Sequence, residues 1–152
     1  MSLSLPKTRY QAKAPGSVVL FLSGFSINQP WKFWKKRQLK RAIRAIINEL
    51  EQQADNGFLG YEQWPGNPSL IVQYWRDHES LIAYARNKDA AHFPQWVAFN
   101  TQLAHDASIG LWHETYEIHQ GEMEGLYRNM PPLGLGRIFG SEAMHAGASA
   151  QI

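Results

Sequence analysis

No cysteine occurs in the 152-residue sequence. Disulfide staples, thiolate nucleophiles and thiolate metal sites are therefore excluded. Long apolar runs are missing as well. The longest, VVLFL at residues 18–22, falls far short of the roughly 20 residues that a membrane-spanning helix needs. The opening MSLSLPKTRYQAKAPGS lacks the apolar centre of a secretory signal. With no cysteine, this leads us to expect a cytoplasmic location. Charge is sparse: charged residues make up 18% and the net charge is +2, so no global field draws the chain to a polyanion. The histidines, His78, His92, His105, His113, His119 and His145, show neither HxxxH nor HExxH spacing, so no metal site is expected. Nucleotide-binding spacings are missing too. LGLGRIFG at residues 133–140 is glycine-rich but does not join a strand to a helix, as a phosphate loop requires.

What the chain does have is apolar and aromatic. Apolar residues reach 44%, and six tryptophans call for a large interior, a subunit interface or a ligand cavity. The length suits one domain with a real core. Residues 1–16 read as a polar N-terminal arm. SVVLFLSGFSI at 17–27 is apolar on both faces and reads as a strand buried on both sides. Asn28 reads as a helix N-cap with Pro30 in the first turn. Leu39, Ile43, Ile46 and Leu50 then mark one face of a helix that stops at Asn56-Gly57.

FLGYEQW at 58–64 and SLIVQYWR at 69–76 read as two strands joined across the turn Pro65-Gly66-Asn67-Pro68. Asp77 caps a following helix. Residues 90–105 predict a further helix, broken near Pro94, and IGLWHETYEI at 109–118 a last strand. The order is βαββαβ, an α+β, ferredoxin-like arrangement: a four-stranded antiparallel sheet with helices on one face. That domain spans 17–119. Residues 120–152 read as an irregular extension whose small polar end, GSEAMHAGASAQI, is mobile. Strands apolar on both sides need a second cover besides the helices, and a second copy of the chain supplies it most simply.

The segments GFSIN, VQYWR, AYAR, WHETYEI and LYRNMPPLGLG resemble the monooxygenase-like family called domain of unknown function 4188, within the dimeric α+β barrel superfamily. The resemblance covers about residues 17–137. It implies a homodimer whose two sheets close into a barrel, with a pocket between sheet and helices. It also implies cofactor-independent monooxygenation, or alternatively the haem chemistry of dehydratases and haem-degrading enzymes. Asn28 and Tyr84 are loose counterparts of active-site residues in the haem-degrading relatives. Ser26 stands where the resemblance implies a basic residue.

Candidate site residues follow from chemistry and position. His92 and Trp96 stand four apart on one helix and face the same way. His92 is the candidate base, with His113 or Asn28 as its orienting partner. Phe21, Trp75, Tyr84, Trp96 and Trp112 are the candidate walls of an apolar substrate pocket. Glu114 shares a strand face with Trp112 and Tyr116, opposite to His113. It reads as a substrate contact or as an ion-pair partner of Arg76. If haem binds, His92 or His113 is the axial ligand; otherwise no cofactor is expected. A third reading is a non-catalytic dimeric ligand-binding protein. Lys32, Lys35, Lys36, Arg37, Lys40, Arg41 and Arg44 crowd one stretch, which reads as a solvated helix face. Nucleic-acid and membrane partners are thus not expected, and the expected partners are a second copy and a small apolar molecule.

Overall fold

The computed structural model describes residues 9–53, 55–90 and 92–144. The end of the chain expected to be mobile, from His145 onward, lies outside the described residues. The elements run β1 (Arg9–Ala12), β2 (Val18–Ile27), α1 (Phe33–Gln52), β3 (Phe58–Trp64), β4 (Leu70–Trp75), α2 (His78–Arg86), α3 (His92–His105), β5 (Ile109–Ile118), β6 (Leu126–Arg128), α4 (Leu135–Ile138) and β7 (Ser141–Ala143). They fall into two compact units: Val19–Glu117, and the two chain ends Met1–Val18 with Ile118–Ile152.

The larger unit holds a four-stranded sheet in the order β3-β4-β2-β5, flanked by α1, α2 and α3. β2 runs antiparallel to β4 with Val19 opposite Trp75, and β4 runs antiparallel to β3. Alternation puts Val19, Phe21, Phe25 and Trp75 on the face that meets the helices. There they join Ile47 and Leu50 of α1 and Leu81 of α2, and, farther along, Leu39 and Ile109. β3 would fall out of phase with this face, but an irregularity between Phe58 and Gly60 corrects it. The extra residue lets Phe58 and Tyr61, three apart, point the same way, with their rings stacked 6.4 Å apart.

The other face carries Leu20, Leu22, Val72, Tyr74 and Trp112. Gly24 matters here because the chain comes so close. A Cβ on it would stand 1.9 Å from the carbonyl oxygen of Ser69 and 2.7 Å from Nε1 of Trp112. The expectation of strands buried on both sides is met by the central pair on the helix side only; on the other face Tyr74 is buried but Leu20, Leu22 and Val72 are half-buried, and the rims are open. β3 leaves Leu59, Gln63 and Trp64 exposed, and β5 is exposed from His113 to Glu117. Both are edge strands, with one neighbour each.

Three local expectations are corrected. Asn28 does not cap α1, because Pro30 takes the second position of a turn closed by the Lys32 N–H on the Gln29 carbonyl (3.1 Å). The helix therefore starts at Phe33, after Lys32, with no side-chain cap. Asn28 instead donates from Nδ2 to the Ala107 carbonyl (2.9 Å), fastening the end of β2 to the approach of β5. Pro94 does not break α3, since it lies in the first turn, where no intrahelical donor is needed. Arg76 pairs with Asp55 and Asp77, not with Glu114.

The smaller unit corrects the reading of the chain ends as irregular. β1 lies between β6 and β7, antiparallel to both. Tyr127 is buried in it. Its hydroxyl donates to the Leu133 carbonyl and accepts from the Gly136 N–H at 2.9 Å. Three-residue strands are too short to show as period-two patterns, so only pairing reveals them.

Two predictions follow from the larger unit. Trp75 has no exposed surface and meets Phe58 edge-on at 5.4 Å, so Trp75→Ala should cost about 3–5 kcal/mol in urea unfolding. A loss below about 1 kcal/mol would contradict the core assigned here. Asp77 caps α2 by accepting from the Ser80 N–H at 2.7 Å. That bond, then the Ser80 hydroxyl and Arg76, hold its carboxyl at about 2 against an ordinary 3.8. A lowered folded-state value means stability that is complete above the ordinary value and fades as pH falls toward the lowered one. Asp77→Asn, which keeps an accepting oxygen, should therefore be less stable than the parent near neutrality, with the gap closing between about pH 4 and pH 2. A gap that stays constant over that range would refute the linkage.

Candidate active site

Three helices meet at one carboxylate. Glu49 lies near the end of α1, flanking the stripe of Ile43, Ile46 and Leu50 that faces the sheet. The stripe pulls this flank inward, and the Glu49 side chain keeps only 13% exposure. Its Oε2 accepts from the Tyr84 hydroxyl of α2 at 3.1 Å and faces Nδ1 of His92, the first residue of α3, at 3.2 Å. Gln53, one turn on, donates from Nε2 to the other carboxylate oxygen at 3.4 Å.

Local sequence brings these groups together. Asp77 starts α2 and Asn87 ends it, with the Asn87 N–H on the Tyr84 carbonyl. Asn87 Oδ1 then accepts from the Asp89 N–H (3.0 Å), and the Asn87 carbonyl from the Ala90 N–H (3.3 Å). This tight reversal lays the His92 ring on Tyr84, with centroids 4.2 Å apart and planes at 30°. Tyr84 in turn rests on Trp75 at 5.6 Å, so the cluster stands on the core.

The electrostatics follow from burial and from the carboxylate. The Tyr84 phenol is pushed well above its ordinary value, first by burial, then by the Glu49 charge and the bond to it. It therefore stays a donor at any working pH. A carboxylate oxygen can only accept, so Nδ1 of His92 carries the proton and, in the neutral ring, Nε2 holds the free lone pair. That arrangement, in which a carboxylate fixes the tautomer of an imidazole, prepares a base. On the far side of Tyr84 opens a cleft of about 460 Å³ whose wall includes Tyr84, Gln53, Asn56, Arg76, Ser80 and Asn87, with His92 behind Tyr84 and outside the lining. Arg76 is held there by Asp55 (3.1 Å), Asp77 (3.0 Å) and Ser80 (3.2 Å).

Of the residues picked from the sequence, His92, Tyr84 and Trp75 stack in one cluster, Phe21 and His113 meet elsewhere, and the rest stand apart. Trp75 lies beneath Tyr84 but is sealed from solvent. Phe21 and His113 share the helix-side face, with rings 5.7 Å apart, and His113 has no hydrogen-bond partner among the described residues. Trp112 lies on the opposite face, where its Nε1 is buried and unpartnered among the described residues. Glu114, on that face too, accepts from the Tyr116 hydroxyl at 2.6 Å, which raises the Tyr116 phenol. Trp96 is 44% exposed on α3, whereas His92 is 7% exposed, so the two do not form one wall. Asn28 is occupied by Ala107 and by the Ser26 hydroxyl (3.0 Å). Phe21, Trp75, Tyr84, Trp96 and Trp112 therefore do not enclose a single cavity.

Glu49 is the residue that sequence reasoning missed. Its signal was present: it is the first acidic residue in the chain, and it borders an apolar helical stripe.

A haem does not fit these residues as arranged. The carboxylate on Nδ1 would suit a metal-bound imidazole. However, the His92 ring is 7% exposed, has one face against Tyr84 and does not line the cleft, so a flat macrocycle the width of haem finds no room beside it. His113 is open but has no carboxylate to orient it. Among the described residues no group of three His, Asp or Glu side chains could hold a metal ion. No helix there is long and apolar enough to cross a membrane.

Comparison with known proteins gives a family. The model of the family "monooxygenase af470-like" matches residues 18–135. Monooxygenase af470 of Aspergillus fumigatus is 29% identical over 131 residues, covering 80% of this chain and 46% of that protein. The chain thus spans about half the length of the curated relative it matches. Among solved structures, an aldoxime dehydratase in complex with butyraldoxime has a TM-score of 0.58 at 14% identity, covering 81% of this chain and 37% of that one. At such identity the likeness shows the α+β fold alone. A cofactor-independent oxygenase, SnoaB of Streptomyces nogalater, has a TM-score of 0.43 at 17% identity, covering 68% of this chain and 95% of that one. On the match over residues 18–135, the chain belongs to the monooxygenase af470-like family.

Proposed function

We propose that the chain is a monooxygenase-like oxidoreductase that acts on a small molecule without a resident cofactor. His92 is the general base, Glu49 its orienting partner and Tyr84 the wall between the base and the cleft, and a substrate in the cleft reaches His92 when the Tyr84 ring turns aside. The observation that carries this reading is the single oxygen of Glu49 shared by the Tyr84 hydroxyl and the His92 imidazole. The name of the Aspergillus relative supports the reaction class. In such chemistry the substrate supplies the electrons. The base removes a proton from an acidic O–H or C–H, the resulting anion adds dioxygen and is protonated to a hydroperoxide, and cleavage of its O–O bond with loss of water leaves the quinone. The protein contributes a held proton acceptor. The substrate class that fits is an electron-rich hydroxyarene, whose ionising group meets the polar cleft.

This reading moves the orienting role from His113 and Asn28 to Glu49. It keeps the dimer and puts the polar cleft beside Tyr84 in place of a chamber between sheet and helices. The strand order β3-β4-β2-β5 with helices on one face suits a ferredoxin-like unit. The helix-free face, with Leu20, Leu22, Val72, Tyr74 and Trp112, is the surface for a second copy that completes a barrel.

Two experiments test these claims. With a panel of hydroxyarenes and oxygen uptake as readout, His92→Gln should lower turnover by about a hundredfold or more. Glu49→Gln should lower kcat with little change in KM, since it leaves the cleft intact. Turnover that survives His92→Gln removes the base. For the dimer, sedimentation equilibrium should give twice the chain mass, and Leu22→Asp should shift the protein toward monomer. A monomeric parent at micromolar concentration would sink the barrel.

A further inference from the structure

The first acidic residue of the chain is Glu49, and ten of the fifteen lysines and arginines precede it. The surplus positive charge is therefore local, although the net charge is only +2. It gathers on α1. Lys32 and Lys35 are tied to Asp106. Lys36, Arg37, Lys40, Arg41 and Arg44 are exposed and have no acidic partner among the described residues. Arg37, Arg41 and Arg44 stand on the helix face opposite Leu39, Ile43 and Leu50.

The same end of the helix carries bare aromatic rings. Trp31 is 65% exposed, Phe33 71% and Trp34 54%. Helical spacing puts Phe33 and Trp34 on the face of Arg37 and Arg41. Folding of the chain does not explain this design. The first turn of α1 has no acidic residue and no side-chain cap, so its cations oppose the helix dipole. Three large rings left in water stabilise nothing within the unit.

We propose that the start of α1 docks on an anionic lipid surface. Trp31, Phe33 and Trp34 enter the headgroup region, and Arg37, Lys40, Arg41 and Arg44 meet the lipid charges. Exposed tryptophan beside lysine and arginine suits a membrane interface, because the indole has an apolar body and a polar edge. Each surface cation adds attraction that fades with salt. Single-stranded nucleic acid fits less well, since it needs ring faces offered to successive bases along a groove. Here Phe33 and Trp34 meet edge to face, 5.5 Å apart at 78°, and cover each other. From sequence alone this stretch reads as a solvated face; the exposure of its rings is what changes the reading. The inference concerns binding and stands apart from the catalytic proposal.

The test is co-sedimentation of the full chain with vesicles of equal parts phosphatidylserine and phosphatidylcholine, against pure phosphatidylcholine vesicles. The unaltered protein should pellet with the anionic vesicles alone, with blue-shifted tryptophan emission, and should release in high salt. Arg37→Gln/Arg41→Gln/Arg44→Gln should weaken binding by about a hundredfold at low salt. Trp31→Ser/Phe33→Ser/Trp34→Ser should weaken it by about tenfold or more. All six side chains are exposed, and circular dichroism confirms that the variants fold. Failure to pellet with anionic vesicles, or equal pelleting with both vesicle types, overturns the proposal. So does full binding by the aromatic variant. Displacement from the vesicles by a single-stranded oligonucleotide would assign the surface to nucleic acid instead.

Discussion

One oxygen atom organises the helical layer. Oε2 of Glu49 takes a hydroxyl from α2 and faces an imidazole nitrogen from α3 while it belongs to α1 itself. A carboxylate with so little exposure needs its partners, because an unpaired buried charge costs several kcal/mol, of the order of 3–5. The requirement works both ways. Tyr84 and His92 are fixed in direction by the same atom, so the Nε2 edge of the ring has a set orientation. A residue that holds three helices in register also sets the protonation pattern of the imidazole.

The cluster is placed on rigid elements, not on loops, and rests on a sealed indole. Trp75 lies under Tyr84, with Phe58 against its other side, and its Nε1 donates to Gln73 at 3.0 Å. A base supported in this way keeps its geometry without help from a bound ligand, the condition for preorganised proton transfer. The polar cleft beside Tyr84 differs in kind from the aromatic chamber that six tryptophans suggest. The tryptophans are divided among different duties: Trp75 fills the core, Trp112 covers Gly24 on the far face, and Trp31 and Trp34 stand in solvent.

Much of the fold was legible from the sequence because period-two and period-3.6 patterns were strong where burial was strong. The strands at 58–64 and 109–118, the cap at Asp77 and the long amphipathic helix all carry such patterns. The rest depended on contacts that no local pattern encodes. Pro30 serves a turn as well as it serves a helix start, and only the bond from Lys32 to Gln29 decides between them. The bulge between Phe58 and Gly60 looks like ordinary alternation until its partner strand is known. The strands at the chain ends are three or four residues long and exist through pairing. Within the site, His92 and Tyr84 stood out by residue type. Glu49 did not, because a glutamate on a helix ordinarily faces water, and its burial comes from two helices arriving later in the chain.

The tautomer of His92 tests the shared carboxylate most directly. Nitrogen-15 NMR of the imidazole at neutral pH should show Nδ1 protonated and Nε2 as the bare nitrogen, with that preference lost in Glu49→Gln. A ring protonated on Nε2 in the parent, or one indifferent to Glu49→Gln, would contradict the account.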